Sequence, residues 1–185
     1  MRKILTFATG LIMMTACAQK SQKATVQSEP TTITWIEDKP EPTLQPHELC
    51  PAAPDSRWDG LGLRKGVPSS MSCLLLQTEG KKILLDAGLG APFSQLLPKL
   101  KEKGVTPEEL QLIYITHLHP DHIGGLLKEG KIVFPNAEVY VNRVEAEAWQ
   151  AMEGDRSRLA KSVLEAYKSH LHLFEEGDTL EGGVK

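Results

Sequence analysis

From residue 32 onward, stretches of strand-like and helix-like patterning follow one another along the chain. In TITWIE (32–37), Ile33 and Trp35 alternate with polar neighbours, which predicts a strand. MSCLLLQT and KKILLD flank EGK and predict a hairpin. PFSQLLPKLKEKG (92–104) has a helical pattern that Pro98 interrupts. TPEEL (106–110) predicts a helical turn, with Thr106 as N-cap, Pro107 at the first position and Glu109 at the third. QLIYIT (111–116) and AEVYVN (137–142) predict strands, and RVEAEAWQAM (143–152) predicts a helix. SRLAKSVLEAYKSH (157–170) predicts another, because Leu159, Val163, Ala166 and Tyr167 form an apolar stripe that His170 continues at helical spacing. Residues 38–68, rich in proline, predict a long irregular loop. Strands alternating with helices predict an α/β fold.

The first residues follow a different pattern. Arg2 and Lys3 precede the apolar stretch ILTFATGLIMMTA, and Cys17 follows it. That stretch is too short to span a bilayer and reads as an export signal. Two cleavage readings compete. MTAC resembles the lipobox of bacterial lipoproteins, in which Cys17 is lipidated; Ala16, Cys17 and Ala18 also fit an ordinary secretion site. Residues 1–17 are therefore expected to be a lipoprotein-type signal, and the polar stretch 18–30 a flexible tether. The expected location is outside the cytoplasm, as a cell-envelope lipoprotein or a periplasmic protein. Membrane contact is then made only through a lipid anchor.

Composition narrows the function classes. A chain of 185 residues is long enough for one domain with a real core. The formal net charge is −3, and no run of Lys and Arg appears, so nucleic-acid binding has no electrostatic support. Export permits a disulfide between Cys50 and Cys73, while the strand-like surroundings of Cys73 favour a buried thiol.

The chemistry concentrates in ITHLHPDHIGG (115–125). His117, His119, Asp121 and His122 fall within six positions, directly after an apolar strand, and include half of the six histidines. In extended backbone, residues i and i+2 point to one side, so His117 and His119 can converge. Pro120 stiffens the turn before Asp121 and His122. Imidazoles with one carboxylate suit zinc or another first-row divalent ion. Gly124 and Gly125 remove Cβ atoms where backbone must pack closely.

THLHPDHIGG resembles the HxHxDH signature of the metallo-β-lactamase fold superfamily, and ILLDAGLG (83–90) is similar to the strand and Asp-x-Gly turn that precede it there. Residues 31–185 are similar to the N-terminal part of the branch that contains methyl parathion hydrolase and the quorum-quenching lactonases. The resemblance implies an αββα sandwich. It implies that His117 and His119 hold a first ion and Asp121 and His122 a second, most naturally zinc, with Asp121 serving catalysis. Asp86 would orient ligands from outside, or simply close the turn before Gly88. The implied reaction is attack on a small-molecule ester, such as a lactone or phosphotriester, by a hydroxide bridging the two ions. Trp149 would line the pocket or pack in the core.

That family supplies three more ligands downstream: a His in a loop like GHTxGH, a bridging Asp and a final His. Beyond the motif this chain has only His170 and His172, and neither has such neighbours. The expectation is therefore a domain truncated after its N-terminal half, with one apolar sheet face uncovered. A non-catalytic metal-binding lipoprotein and an inactive remnant are the alternatives.

Overall fold

The computed structural model describes residues 30–183 except Pro40, Pro42, Cys50 and Ala91. The expected signal, nearly all of the tether, and one partner of the Cys50–Cys73 pair lie outside the described residues. Cys73 itself is a buried free thiol.

The elements in chain order are β1 (Thr32–Glu37), β2 (Thr43–Gln45), α1 (Asp55–Gly60), β3 (Val67–Ser69), β4 (Ser72–Thr78), β5 (Lys81–Leu85), α2 (Leu96–Glu102), β6 (Leu112–Ile115), α3 (Pro120–Ile123), β7 (Leu127–Lys128), β8 (Lys131–Ile132), β9 (Glu138–Asn142), α4 (Arg143–Ala151), α5 (Arg158–Ala166) and β10 (Leu171–Phe174). Six strands form one sheet in the order β1-β4-β5-β6-β9-β10. The β4–β5 hairpin and β1 are antiparallel; β5, β6, β9 and β10 run parallel, joined by connections that carry helices.

One face of this sheet carries Ile36, Leu75, Leu84, Ile113, Val139 and Val141, which pack under α2, α4 and α5 to form the main core. Parallel strands need both faces covered, so their central members are apolar throughout; β6 is buried at all four positions. On the second face, Ile83, Leu112 and Tyr114 pack with Leu76, Leu85, Tyr140 and Leu180. Register places Ile33 and Trp35 on this same face, where they are 68% and 59% exposed. The expected strand 32–37 is present, but its apolar alternation points away from the main core. Of an αββα sandwich, the described residues form one helical layer and one large sheet.

Three expectations are corrected. Residues 38–68 are not simply irregular: β2 pairs with β3 in a small ribbon, and α1 buries Trp58, whose ring stacks on His47 at 4.6 Å. Pro98 does not interrupt its helix. Helix α2 begins at Leu96, so Pro98 sits in the first turn, where an N–H lacks a helical partner anyway. The last helix ends at Ala166, and His170 is not on it; His172 lies in β10, parallel to β9. Residues 171–174, LHLF, to which the sequence pattern assigns no element, form a strand. The expected turn at Thr106 is present, with Thr106 N donating to Glu109 Oε2 at 2.8 Å.

Candidate metal centre

Strand β6 ends at Ile115 and releases the motif at the C-terminal edge of the parallel strands. Neighbouring β5 ends beside it, because Leu85 pairs with Tyr114. The next residue, Asp86, adopts φ 60°, an uncommon left-handed conformation for a residue with a side chain. That twist turns its buried carboxylate toward the motif. Asp86 Oδ1 accepts from Thr116 N at 2.9 Å, and Oδ2 accepts from Thr116 Oγ1 at 2.9 Å. Asp86 Oδ2 also lies 2.8 Å from His122 Nδ1. An ionised carboxylate only accepts, so His122 donates from Nδ1 and its Nε2 keeps a free lone pair.

The four motif side chains are neighbours. The rings of His117 and His122 are 3.9 Å apart and those of His117 and His119 4.6 Å apart, centre to centre. His122 Nε2 lies 3.6 Å from Asp121 Oδ2. Burial, followed by the adjacent His122 and His119, pushes the pKa of His117 below the usual imidazole range, which favours its neutral, donor form. In donor type and clustering the set suits a first-row divalent ion. Among the described residues, no three His, Cys, Asp or Glu side chains already converge as ligands of one ion.

Two further supports hold the motif, and the first, Glu145, is absent from the sequence reading. Glu145 on α4 accepts from Leu118 N at 2.9 Å and from Trp149 Nε1 at 2.7 Å, both on Oε1. It fixes the backbone between His117 and His119. Trp149 is buried in the main core and meets His119 edge-on at 5.6 Å, so it packs and also walls the histidine. The i, i+4 spacing of Glu145 and Trp149 was the available signal. The second support is the glycine pair. Ala87 N donates to His122 O at 2.7 Å, and Gly125 N to Gly88 O at 3.1 Å. A Cβ on Gly124 would stand 2.0 Å from Leu89 O, and one on Gly125 2.0 Å from Ala87 O. The close backbone approach expected at these glycines is present.

His170 and His172 are not brought to the motif. They flank Glu138 at the opposite end of the parallel strands, with His170 Nδ1 3.2 Å and His172 Nε2 2.6 Å from its carboxylate.

The sequence profile of the Metallo-beta-lactamase superfamily matches residues 66–184. The exodeoxyribonuclease WalJ of Streptococcus pneumoniae is 37% identical over 116 residues, covering 60% of this chain and 37% of that protein. Among solved structures, the hydrolase AbOPH in beta lactamase superfamily superposes with a TM-score of 0.68 at 26% identity. AidC, a dizinc quorum-quenching lactonase solved with a product, superposes with a TM-score of 0.70 at 21% identity. Each superposition covers 84% of this chain and 62% of the other. The chain thus spans little more than a third of the length of WalJ and about three fifths of the two solved structures.

Proposed function

This chain belongs to the metallo-beta-lactamase superfamily, and from that premise we propose that it serves a metal-dependent hydrolase of small esters such as lactones or phosphotriesters. The observation that carries the reading is the grip of Asp86 on His122 Nδ1, which leaves Nε2 free beside Asp121. His117 and His119 would hold one divalent ion, and Asp121 and His122 a second, with zinc the expected metal. Ions held there supply Lewis acidity and a water acidic enough to attack near neutral pH. Asp121 is the one carboxylate among the four and is assigned to catalysis. Thr116 and Asp86 set ring orientation, and Glu145 fixes the loop between the two leading histidines. One solved neighbour is a hydrolase and another a dizinc lactonase, and the lactonase favours an ester substrate.

A second reading, phosphodiester cleavage in nucleic acid, is favoured by the 37% identity with an exodeoxyribonuclease. The negative net charge and lack of a basic run weigh against it. One experiment separates the two: a panel of lactone, phosphotriester, thioester, β-lactam and single-stranded DNA substrates, assayed with zinc, manganese or cobalt. With the chain fused at Lys185 to the C-terminal half of a close relative, chelator-sensitive turnover of a lactone or phosphotriester that His119→Ala and Asp121→Ala each abolish is expected. Turnover indifferent to chelator, or surviving both substitutions, overturns the assignment.

The same proposal places the protein outside the cytoplasm, carried by residues 1–17, with Cys17 as the lipidation site. Cys17→Ser is expected to release the protein from membranes or block its processing. A variant that still fractionates with membrane at mature size removes the lipoprotein reading.

A further inference from the structure

We infer that Asp38 is a positioning residue for the metal centre, acting on His122 through the segment 86–96; the inference rests on the reading of His122 as an ion ligand. Asp38 follows β1, lies in the stretch expected to be irregular, and is fully buried. A buried carboxylate is costly unless hydrogen-bonded. All three donors to its side chain come from one segment. Leu89 N donates to Oδ2 at 3.0 Å, Leu96 N donates to Oδ1 at 3.0 Å, and Ser94 Oγ donates to Oδ1. Its backbone closes the same joint, since Asp38 O accepts from Gln95 N at 2.8 Å and Asp38 N donates to Met71 O at 2.8 Å.

That segment reaches the motif on its other side. Leu89 O faces Gly124, Ala87 N donates to His122 O, and Gly88 O accepts from Gly125 N. Residues 86–90 are therefore clamped between Asp38 and the helix that carries His122. The clamp is tight. Gly88 has φ +68°, and a Cβ there would stand 2.4 Å from Asp38 Oδ2. At the start of the segment, Asp86 keeps a left-handed φ, uncommon for a residue with a side chain and here held by its surroundings. With Asp38 removed, one wall of the clamp is lost, Asp86 is free to relax, and its hold on His122 Nδ1 loosens. The carboxylate is specific to the task, because an amide would turn an N–H toward a hydroxyl or backbone donor.

A merely structural Asp38 would change stability and leave the His122 ring as it is. The deciding measurement is the tautomer of His122, read by long-range proton–nitrogen correlation in the metal-free full chain labelled at histidine nitrogen. Wild type should show protonation at Nδ1. Asp38→Asn should show a tautomer mixture, and zinc affinity by chelator competition should fall about tenfold. Leu75→Val, a core change on β4 away from the clamp, should lower stability and leave both readouts unchanged. Should Asp38→Asn fail to fold, Ser94→Ala removes one donor and must move His122 in the same direction. A wild-type tautomer in the folded Asp38→Asn or Ser94→Ala variant, or an equal change in Leu75→Val, overturns the inference. If wild type binds no zinc, the ligand reading fails, while the tautomer still decides whether Asp38 positions the ring.

Discussion

The Asp86 carboxylate lies 2.8 Å from His122 Nδ1, on the far side of the ring from the nitrogen that faces Asp121. That single contact decides which nitrogen can donate a lone pair to an ion. Asp86 sits in the turn after β5 and at the same time touches the ring of His122.

Asp86→Asn tests the relationship. The amide can present its NH₂ to Nδ1, which moves the ring proton to Nε2 and blocks the lone pair that the centre needs. Zinc affinity is expected to fall about 10–100-fold, the range typical of lost ligand-orienting partners. Chelator competition measures it, and unchanged affinity would mean that His122 is not a ligand or is oriented by something else.

Glu145 offers a test from the opposite side of the loop. Its Oε1 serves both Leu118 N and Trp149 Nε1. Glu145→Ala leaves two donors without a partner in a mostly buried place, at a cost of about 1–3 kcal/mol each if water cannot reach them. Urea denaturation should show the loss, and the fluorescence of Trp149 should shift as its indole N–H changes partner. A stability equal to wild type would show that water replaces the carboxylate.

The strands β1, β4, β5, β6 and β9 and the four motif residues were legible because each carries its own local signal: an apolar period, or histidines crowded after a strand. What was illegible depends on long-range pairing. β10 is only four residues long, with a histidine among them, and shows itself as a strand only beside β9. The short ribbon of β2 and β3 joins residues more than twenty positions apart through a proline-rich stretch. Asp38 carries no pattern at all; its role exists only once segment 88–96 folds back over it. Asp86 was visible as a turn residue, but not the direction in which its left-handed backbone aims the carboxylate.

Tyr167 links the end of α5 to the strand region behind the motif. Its hydroxyl donates to Leu126 O at 3.2 Å and accepts from Phe134 N at 3.2 Å, and burial pushes its pKa up to about 12. Tyr167→Phe keeps the ring and leaves Phe134 N and Leu126 O unpaired. The expected cost is about 1–3 kcal/mol, seen as a lower urea midpoint with an unchanged slope. A neutral result would place water at both groups.

Acid sensitivity should report the Glu138 cluster. Hydrogen bonds from His172 and then His170 hold the Glu138 carboxyl below its ordinary value of 4.5. Tyr140 stacks on His172, and its hydroxyl reaches Glu181, whose own carboxyl is lowered chiefly by Lys81. The sign follows from proton binding. The unfolded chain takes up a proton at Glu138 at higher pH than the folded one, so this contribution is complete above the unfolded value and disappears as pH falls through the folded value. Stability measured by urea denaturation from about pH 7 to about pH 3 should therefore decline below the ordinary carboxylate pKa. Glu138→Gln cannot titrate, so its decline should be shallower, while Glu181 and Glu109, each held low by a lysine, keep part of the slope. These groups lie near solvent, so added salt should weaken the lysine and the histidine contributions alike. Identical pH profiles for wild type and Glu138→Gln would show that the histidines hold the carboxylate too loosely to matter for folding.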